Sequence, residues 1–390
     1  MNFDEIIDRR GTDCIKYDAP IQQGWAKDTL PLWVADMDFP APAAVGEALR
    51  EMTRPGIFGY QLAGADYISS VTGWFDRRFG WKPEADWLVE TPGVVFALCT
   101  AVRAFTKPGD AVMMLLPVYP HFFEAATDNG RRVVSSQLKP GINGRYEIDF
   151  DEVERLMDEE KPRLFILCSP HNPVGRVWTE EELRRLGELC FARNIPVVAD
   201  EIHCDFTYPG HPHTPLLSLG PAFEQNGVSC TAPSKTFNLA GLQDSNIFIP
   251  NPMMRAAFQR KLRAQGVFGV NSAGRAAAKA AYDRGESWLR ELLTYLREND
   301  DFLRDFLARE LPRLKAAPLE GTYLAWVDAR ELGLSDGELS ALLRDKAHVR
   351  LNPGAEYGAG GEGFLRFNLA CPRSTLRLAL ERIRDAVKEL

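Results

Sequence analysis

The chain has 390 residues, 45% apolar and 26% charged, an ordinary globular mix with length for about two or three domains. Lys and Arg number 46 against 54 Asp and Glu, and a net charge of −8 offers no global field to attract nucleic acid or an anionic membrane. Seven cysteines without a CxxC pair argue against a disulfide framework or a zinc site. No run approaches the roughly 18 uninterrupted apolar residues of a membrane-spanning helix. The start, Met1-Asn2-Phe3-Asp4-Glu5, has no basic and apolar leader pattern, so a cytoplasmic location is expected.

Residues 1–45 carry Pro20, Pro31, Pro40 and Pro42 and read as an irregular arm, pinned by Tyr17, Trp25 and Trp33, with a short strand at Leu32–Asp36. A helix is expected from about Pro42 to Met52, and another over Tyr67–Phe79. Gly93–Phe105 reads as a helix that starts on glycine. Ala111–Leu116, Arg163–Cys168 and Ile195–Asp200 are continuous apolar runs of strand length. Between the last two lies a helix over Thr179–Asn194. It is opened by the capping box Thr179-Glu180-Glu181-Glu182, in which Thr179 accepts from an amide three residues on and Glu182 reaches back. Short buried strands alternating with helices predict an α/β fold with a mostly parallel sheet covered on both faces.

After Gly285 the pattern changes. Trp288, Leu289, Leu292, Leu293, Leu296, Phe302, Leu303, Phe306 and Leu307 mark one long amphipathic helix. Strands follow at Tyr323–Val327 and Phe364–Leu369, with helices at about 335–346 and 373–388. This order predicts a smaller α+β unit. The expected division is a large domain over 46–284 and a second one made of 1–45 with 285–390.

Four strand ends carry chemistry. Ala232-Pro233-Ser234-Lys235-Thr236 follows the apolar run Val228–Thr231. A lysine among small hydroxyls there is either a surface turn residue or an amine of lowered pKa, able to form a Schiff base. Asp200 ends its strand, where an acid points into the ligand crevice of an α/β sheet or serves as a cap or ion pair. Cys168-Ser169-Pro170-His171-Asn172-Pro173-Val174-Gly175 is a rigid turn holding Asn172, in which one X-Pro bond is expected to be cis. Thr91-Pro92-Gly93-Val94-Val95 opens a helix whose free amides suit a phosphate. Together these supply an amine, an acid for a pyridinium, an amide for a phenolic oxygen and a phosphate site, which are the needs of pyridoxal phosphate.

On these residues the chain resembles the fold-type I pyridoxal-phosphate enzymes of the aminotransferase class I/II superfamily over nearly its whole length. It is most similar to the MalY/PatB branch of cystathionine β-lyases. The matching segments are Trp33–Phe39, Gly59-Tyr60, Pro117–Pro120, Ser169–Val177, Ala199–Phe206, Ser234–Gly241 and Arg366–Asn368. The resemblance implies an aminotransferase-like fold, pyridoxal phosphate as cofactor and a role for each matching position. Lys235 would carry the cofactor and move the Cα proton. Asp200 would pair with the pyridine nitrogen, Asn172 with the phenolic oxygen beside His203, and Tyr119 would stack on the ring. Gly93, Val94, Val95, Thr231 and Ser234 would face the phosphate. Tyr60 would reach the phosphate of a partner subunit in a homodimer. Arg366 would clamp the substrate carboxylate, with Ala35, Tyr119, Asn172 and Tyr60 also facing substrate.

The implied reaction is β-elimination of a small amino acid, cystathionine or another cysteine S-conjugate, to a thiol, pyruvate and ammonia. Two positions depart from the wider superfamily: Gln243 stands where an arginine is common, and His203 where a tyrosine is common. Both fit the carbon–sulfur lyase branch. The alternatives are an aminotransferase acting on an amino acid, and a regulatory protein-binding role on the same scaffold.

Other motifs read differently. Gly358–Gly363 satisfies GxGxxG, yet a strand follows it and not a helix, so it is expected to be a mobile loop beside Arg366. His203, His211 and His213 lack the spacing of a ligand set, and no metal is expected. The charges of Arg373–Lys388 read as a solvated helix face.

Overall fold

The apolar runs assemble into a seven-stranded sheet in the order Leu88–Thr91, Ser245–Phe248, Gly227–Thr231, Val197–Asp200, Leu164–Cys168, Ala111–Leu116, Arg132–Gln137. The computed structural model describes residues 1–390, the side chain of Ile142 excepted. The five strands from Gly227–Thr231 onward are mutually parallel, and Ser245–Phe248 is antiparallel to both its neighbours. Every residue of the four central parallel strands is buried, which explains why they read as unbroken apolar runs and not as alternation. Alternate side chains serve opposite faces. Val112 and Met114 pack with the Val94–Phe105 helix, while Met113 and Leu115 pack with Leu183 and Leu186 of Glu180–Phe191. Register aligns Cys168, Asp200 and Cys230 side by side, so the strands end along one line.

The Glu180–Phe191 helix carries both halves of the expected capping box. Thr179 Oγ1 accepts from the Glu182 amide (3.2 Å) and Glu182 Oε2 accepts from the Thr179 amide (2.8 Å). It stops short of Asn194, which adopts a left-handed conformation in the turn that follows.

A four-stranded antiparallel sheet holds Lys315–Ala316, Leu324–Asp328, Phe364–Asn368 and Asn352–Pro353 in that order. Against it lie the helices Glu286–Glu310 and Arg373–Lys388. The 335–346 helix is α-helical only over Asp336–Ala341 and continues as a wider turn over Leu342–Ala347. Among the described residues no helix is long and apolar enough to cross a membrane.

The arm differs from expectation in two ways. It contains a helix, Ile15–Gln22, despite Pro20, because the Asp18 carboxylate accepts amides of Gly11, Thr12 and Cys14 and organises its first turn. Its strand is Leu30–Pro31, parallel to Val349–Arg350, and not Leu32–Asp36. Residues 33–37 pair with side chains instead. Arg366 donates to the Trp33 carbonyl, Asn368 to those of Val34 and Asp36, and Asn238 to that of Met37. A buried charge cluster braces this segment: Lys16 Nζ lies 2.9 Å from Asp38 and 3.4 Å from Asp36, and Arg9 bonds both carboxylates.

The Gly358–Gly363 segment is a closely packed turn and not a loose loop. The backbones of Gly354 and Gly361 meet, and a Cβ on Gly354 would collide with the Gly361 carbonyl oxygen.

Candidate active site

At the carboxyl ends of the parallel strands, where open α/β sheets bind ligands, lies a cavity of about 530 Å³. Lys235, Asp200, Asn172, His203, Tyr119, Ser234, Gly93, Val94, Val95, Ala35 and Arg366 all line it.

Lys235 sits on a single helical turn, Pro233–Thr236, which proline opens at the end of its strand. The next residue anchors that turn: Thr236 Oγ1 donates to the buried Asp205 (2.8 Å), which also accepts from Trp74 Nε1 and Arg78 Nε. Lys235 Nζ donates to the Ala35 carbonyl at 2.7 Å. Burial lowers the pKa of this amine to about 8, against the opposing pull of the Asp36 and Asp200 carboxylates. Asp200 Oδ1 accepts from the Ile202 amide (3.1 Å), and burial pushes its carboxyl up to about 7. No cation of the described residues forms a salt bridge with it.

Asn172 is held by a turn in which both Ser169-Pro170 and Asn172-Pro173 are cis. Its Oδ1 accepts from Arg366 Nη1 at 3.1 Å. Arg366 also donates through Nη2 to the Trp33 carbonyl and to Asn352 Oδ1, both at 2.7 Å, while Nε is buried without a partner. Three of the guanidinium's five N–H groups are thus engaged by neutral oxygens. His203 is buried with Nδ1 unpartnered among the described residues. Burial, reinforced by the nearby Lys235 and Arg366 charges, holds its pKa well below the ordinary imidazole value.

Gly93 precedes the Val94–Phe105 helix, whose first internal bond runs from the Ala97 amide to the Gly93 carbonyl. The amides of Val94, Val95 and Phe96 therefore form an anion-binding end.

Two expected residues are not brought to the cavity. Thr231 is buried outside it, and its hydroxyl donates across the sheet to the Asn246 carbonyl (2.8 Å). Tyr60 stands fully exposed on the extended segment before the Ala65–Phe79 helix. The three histidines face different places, since His211 lies 3.8 Å from Glu320 and His213 3.4 Å from Glu201. Sequence reasoning missed Trp33, Asn352 and Tyr357 as lining residues, and Tyr357 presents its ring to the Arg366 guanidinium. Gln243, noted only as a departure, also lines the cavity.

The donor set fits pyridoxal phosphate on its own chemistry. A buried carboxyl without an ion partner suits a ring N–H, a buried amine of lowered pKa suits an aldehyde, and a helix end with the Ser234 hydroxyl suits a phosphate.

A family model described as aminotransferase class I and II matches residues 35–383. Cystathionine β-lyase PatB of Bacillus subtilis is 45% identical over 99% of this chain and 100% of its own. The crystal structure of cystalysin from Treponema denticola, containing pyridoxal 5'-phosphate, aligns with TM-score 0.97 and 35% identity over 100% of this chain and 99% of that one. A pyridoxal-phosphate-bound putative aminotransferase from Clostridium difficile aligns with TM-score 0.96 and 40% identity over 99% of both chains.

Proposed function

The chain belongs to the aminotransferase class I and II family, and from that premise we propose that it is a pyridoxal-phosphate-dependent carbon–sulfur β-lyase acting on cystathionine or a related cysteine S-conjugate. One observation carries the reading: Lys235 presents a buried amine of lowered pKa to a cavity on which Asp200 and Arg366 also converge. The 45% identity to a cystathionine β-lyase supports the lyase outcome over transamination.

Bound in this cavity, pyridoxal phosphate supplies an aldehyde that bonds an amine and a ring that takes up the electron pair left when Cα loses its proton. The protein's residues do the rest. Arg366 lines the cavity with Lys235, and its guanidinium, whose present partners are neutral oxygens, would exchange them for the substrate carboxylate and so fix which Cα bond faces Lys235. Lys235 Nζ, basic near neutral pH because it is buried, accepts the Cα proton. Asp200, as carboxylate, would accept the hydrogen bond of the cofactor's protonated ring nitrogen and keep that proton in place. Asn172 and His203 would flank the phenolic oxygen, Tyr119 would cover the ring, and the Val94 and Val95 amides with Ser234 would hold the phosphate, since all of them line the cavity. The thiol leaves Cβ, and water completes the products: cystathionine plus water gives homocysteine, pyruvate and ammonia.

The protein is further proposed to act in the cytoplasm as a homodimer, with Tyr60 crossing to the partner's site, and to be divided into domains at 46–284 and at 1–45 with 285–390. The exposure of Tyr60, Ile57, Phe58 and Leu62 on one segment supports the dimer.

The test supplies cystathionine to the holoenzyme without a keto acid. Pyruvate and homocysteine in equal amounts are expected. Turnover only after a keto acid is added would assign an aminotransferase instead.

A further inference from the structure

The Lys235 amine has a fixed acceptor when it is not bonded to cofactor, and that acceptor is shared. The Ala35 carbonyl takes Lys235 Nζ at 2.7 Å and the Tyr323 hydroxyl at 2.9 Å. It cannot drift away from either. The carbonyls on each side of it are held by Asn368, which bonds Val34 and Asp36, and further along by Arg366 at Trp33. Tyr323 is fully buried, edge-on to His203 (5.7 Å) and Phe206 (4.8 Å). It directly precedes the Leu324–Asp328 strand, which pairs with the strand bearing Arg366. Burial pushes the phenol's pKa far up, so it remains a hydrogen-bond donor at any working pH.

A carbonyl oxygen has two lone pairs. We propose that Tyr323 is a positioning residue for proton transfer at Lys235: by occupying one lone pair of the Ala35 carbonyl it leaves the amine a single anchoring bond and turns the nitrogen's own lone pair toward the cavity. The role rests on the reading of Lys235 as the base at Cα. An ammonium with three N–H groups gains more from a second acceptor site than a neutral amine with two. Removing the phenol hydroxyl therefore favours the charged lysine and withdraws the base. The charged and titratable groups facing Nζ are Asp36 from the arm, Asp200 from its strand, Arg366 from the four-stranded sheet and His203 from the loop after Asp200. All are left in place by Tyr323→Phe.

The experiment reads the lysine directly. Cofactor-free protein is trace-labelled with acetic anhydride across a pH series, and modification of Lys235 is followed by peptide mass spectrometry. In Tyr323→Phe the labelling midpoint should rise by about 0.5 to 1 unit, the scale of one net hydrogen bond. In the holoenzyme kcat should fall and its acid limb move up equally, with KM unchanged. Tyr208→Phe is the control, because its hydroxyl makes a similar buried bond to the carbonyl of Thr322 (2.8 Å), next to Tyr323 in the chain, without bonding Ala35 or Lys235; its midpoint should stay put. Placing 3-fluorotyrosine at position 323 keeps the ring and strengthens the donor, so the midpoint should fall, and this arm serves if Tyr323→Phe does not fold. An unmoved midpoint in both position-323 variants, or an equal shift in Tyr208→Phe, overturns the proposal. The labelling uses neither cofactor nor substrate, so failure of the lyase assay leaves its outcome readable.

Discussion

Asp200→Asn should make the cofactor-free protein more stable and the enzyme worse. The buried carboxyl titrates at about 7 instead of the ordinary 3.8. A raised native pKa means that the folded state binds the proton longer than the unfolded state. Stability from this group is thus fully present below about pH 4 and is lost as pH rises to about 7. About three pKa units at about 1.36 kcal/mol each give about 4 kcal/mol, of which roughly 3 falls between about pH 5 and about pH 8. Asparagine resembles the protonated acid in shape and cannot ionise. Urea unfolding of both cofactor-free proteins over that range should show a stability gap in favour of the variant that widens with pH. With pyridoxal phosphate bound the order should reverse near neutrality, because the ring nitrogen's proton gives the wild-type carboxylate a partner. Profiles that run parallel within about 1 kcal/mol would refute the reasoning, since a solvated carboxylate would behave in that way.

Three further outcomes follow from named contacts. Arg366→Lys loses the fork that meets Asn172, Asn352 and the Trp33 carbonyl, so kcat/KM should drop about a hundredfold, chiefly through KM, as steady-state kinetics would register. Lys16→Met leaves Asp36 and Asp38 with Arg9 alone; a loss of about 3 kcal/mol in denaturant midpoint analysis is expected, and a loss under about 1 would mean Arg9 suffices. Thr179→Ala removes one half of the capping box and should cost about 1 kcal/mol without changing kcat, which pairs a stability measurement with an activity assay.

The residues legible from sequence are those whose signal is local. Lys235, Asp200, Asn172 and Gly93 each stand at the end of a short apolar run or the start of a helix, and a parallel sheet brings such ends to one edge whatever the connections between them. The capping box was legible for the same reason, being four consecutive residues. Leu32–Asp36 misled because an apolar run of strand length need not pair as a strand; the partners of the carbonyls from Trp33 to Asp36 are side chains some 200 to 330 positions away, at Lys235, Arg366 and Asn368. Asn352 and Tyr323 were missed because their importance lies in a cross-strand partner and in a shared carbonyl, neither of which leaves a mark on neighbouring residues. Thr231 sits at a strand end like the others, yet its hydroxyl is turned to an adjacent antiparallel strand, a direction that residue type does not reveal.

The 33–37 segment has a consequence for how the molecule is made. One wall of the cavity leaves the ribosome more than 330 residues ahead of Arg366 and Asn368, the side chains that hold its carbonyls. Lys235 and Asp200 are synthesised well before that wall can be closed. Capture of cofactor in the closed cavity therefore waits for Arg366 and Asn368, and a nascent or truncated product ending before Arg366 would carry the reactive lysine without the enclosure that tunes it.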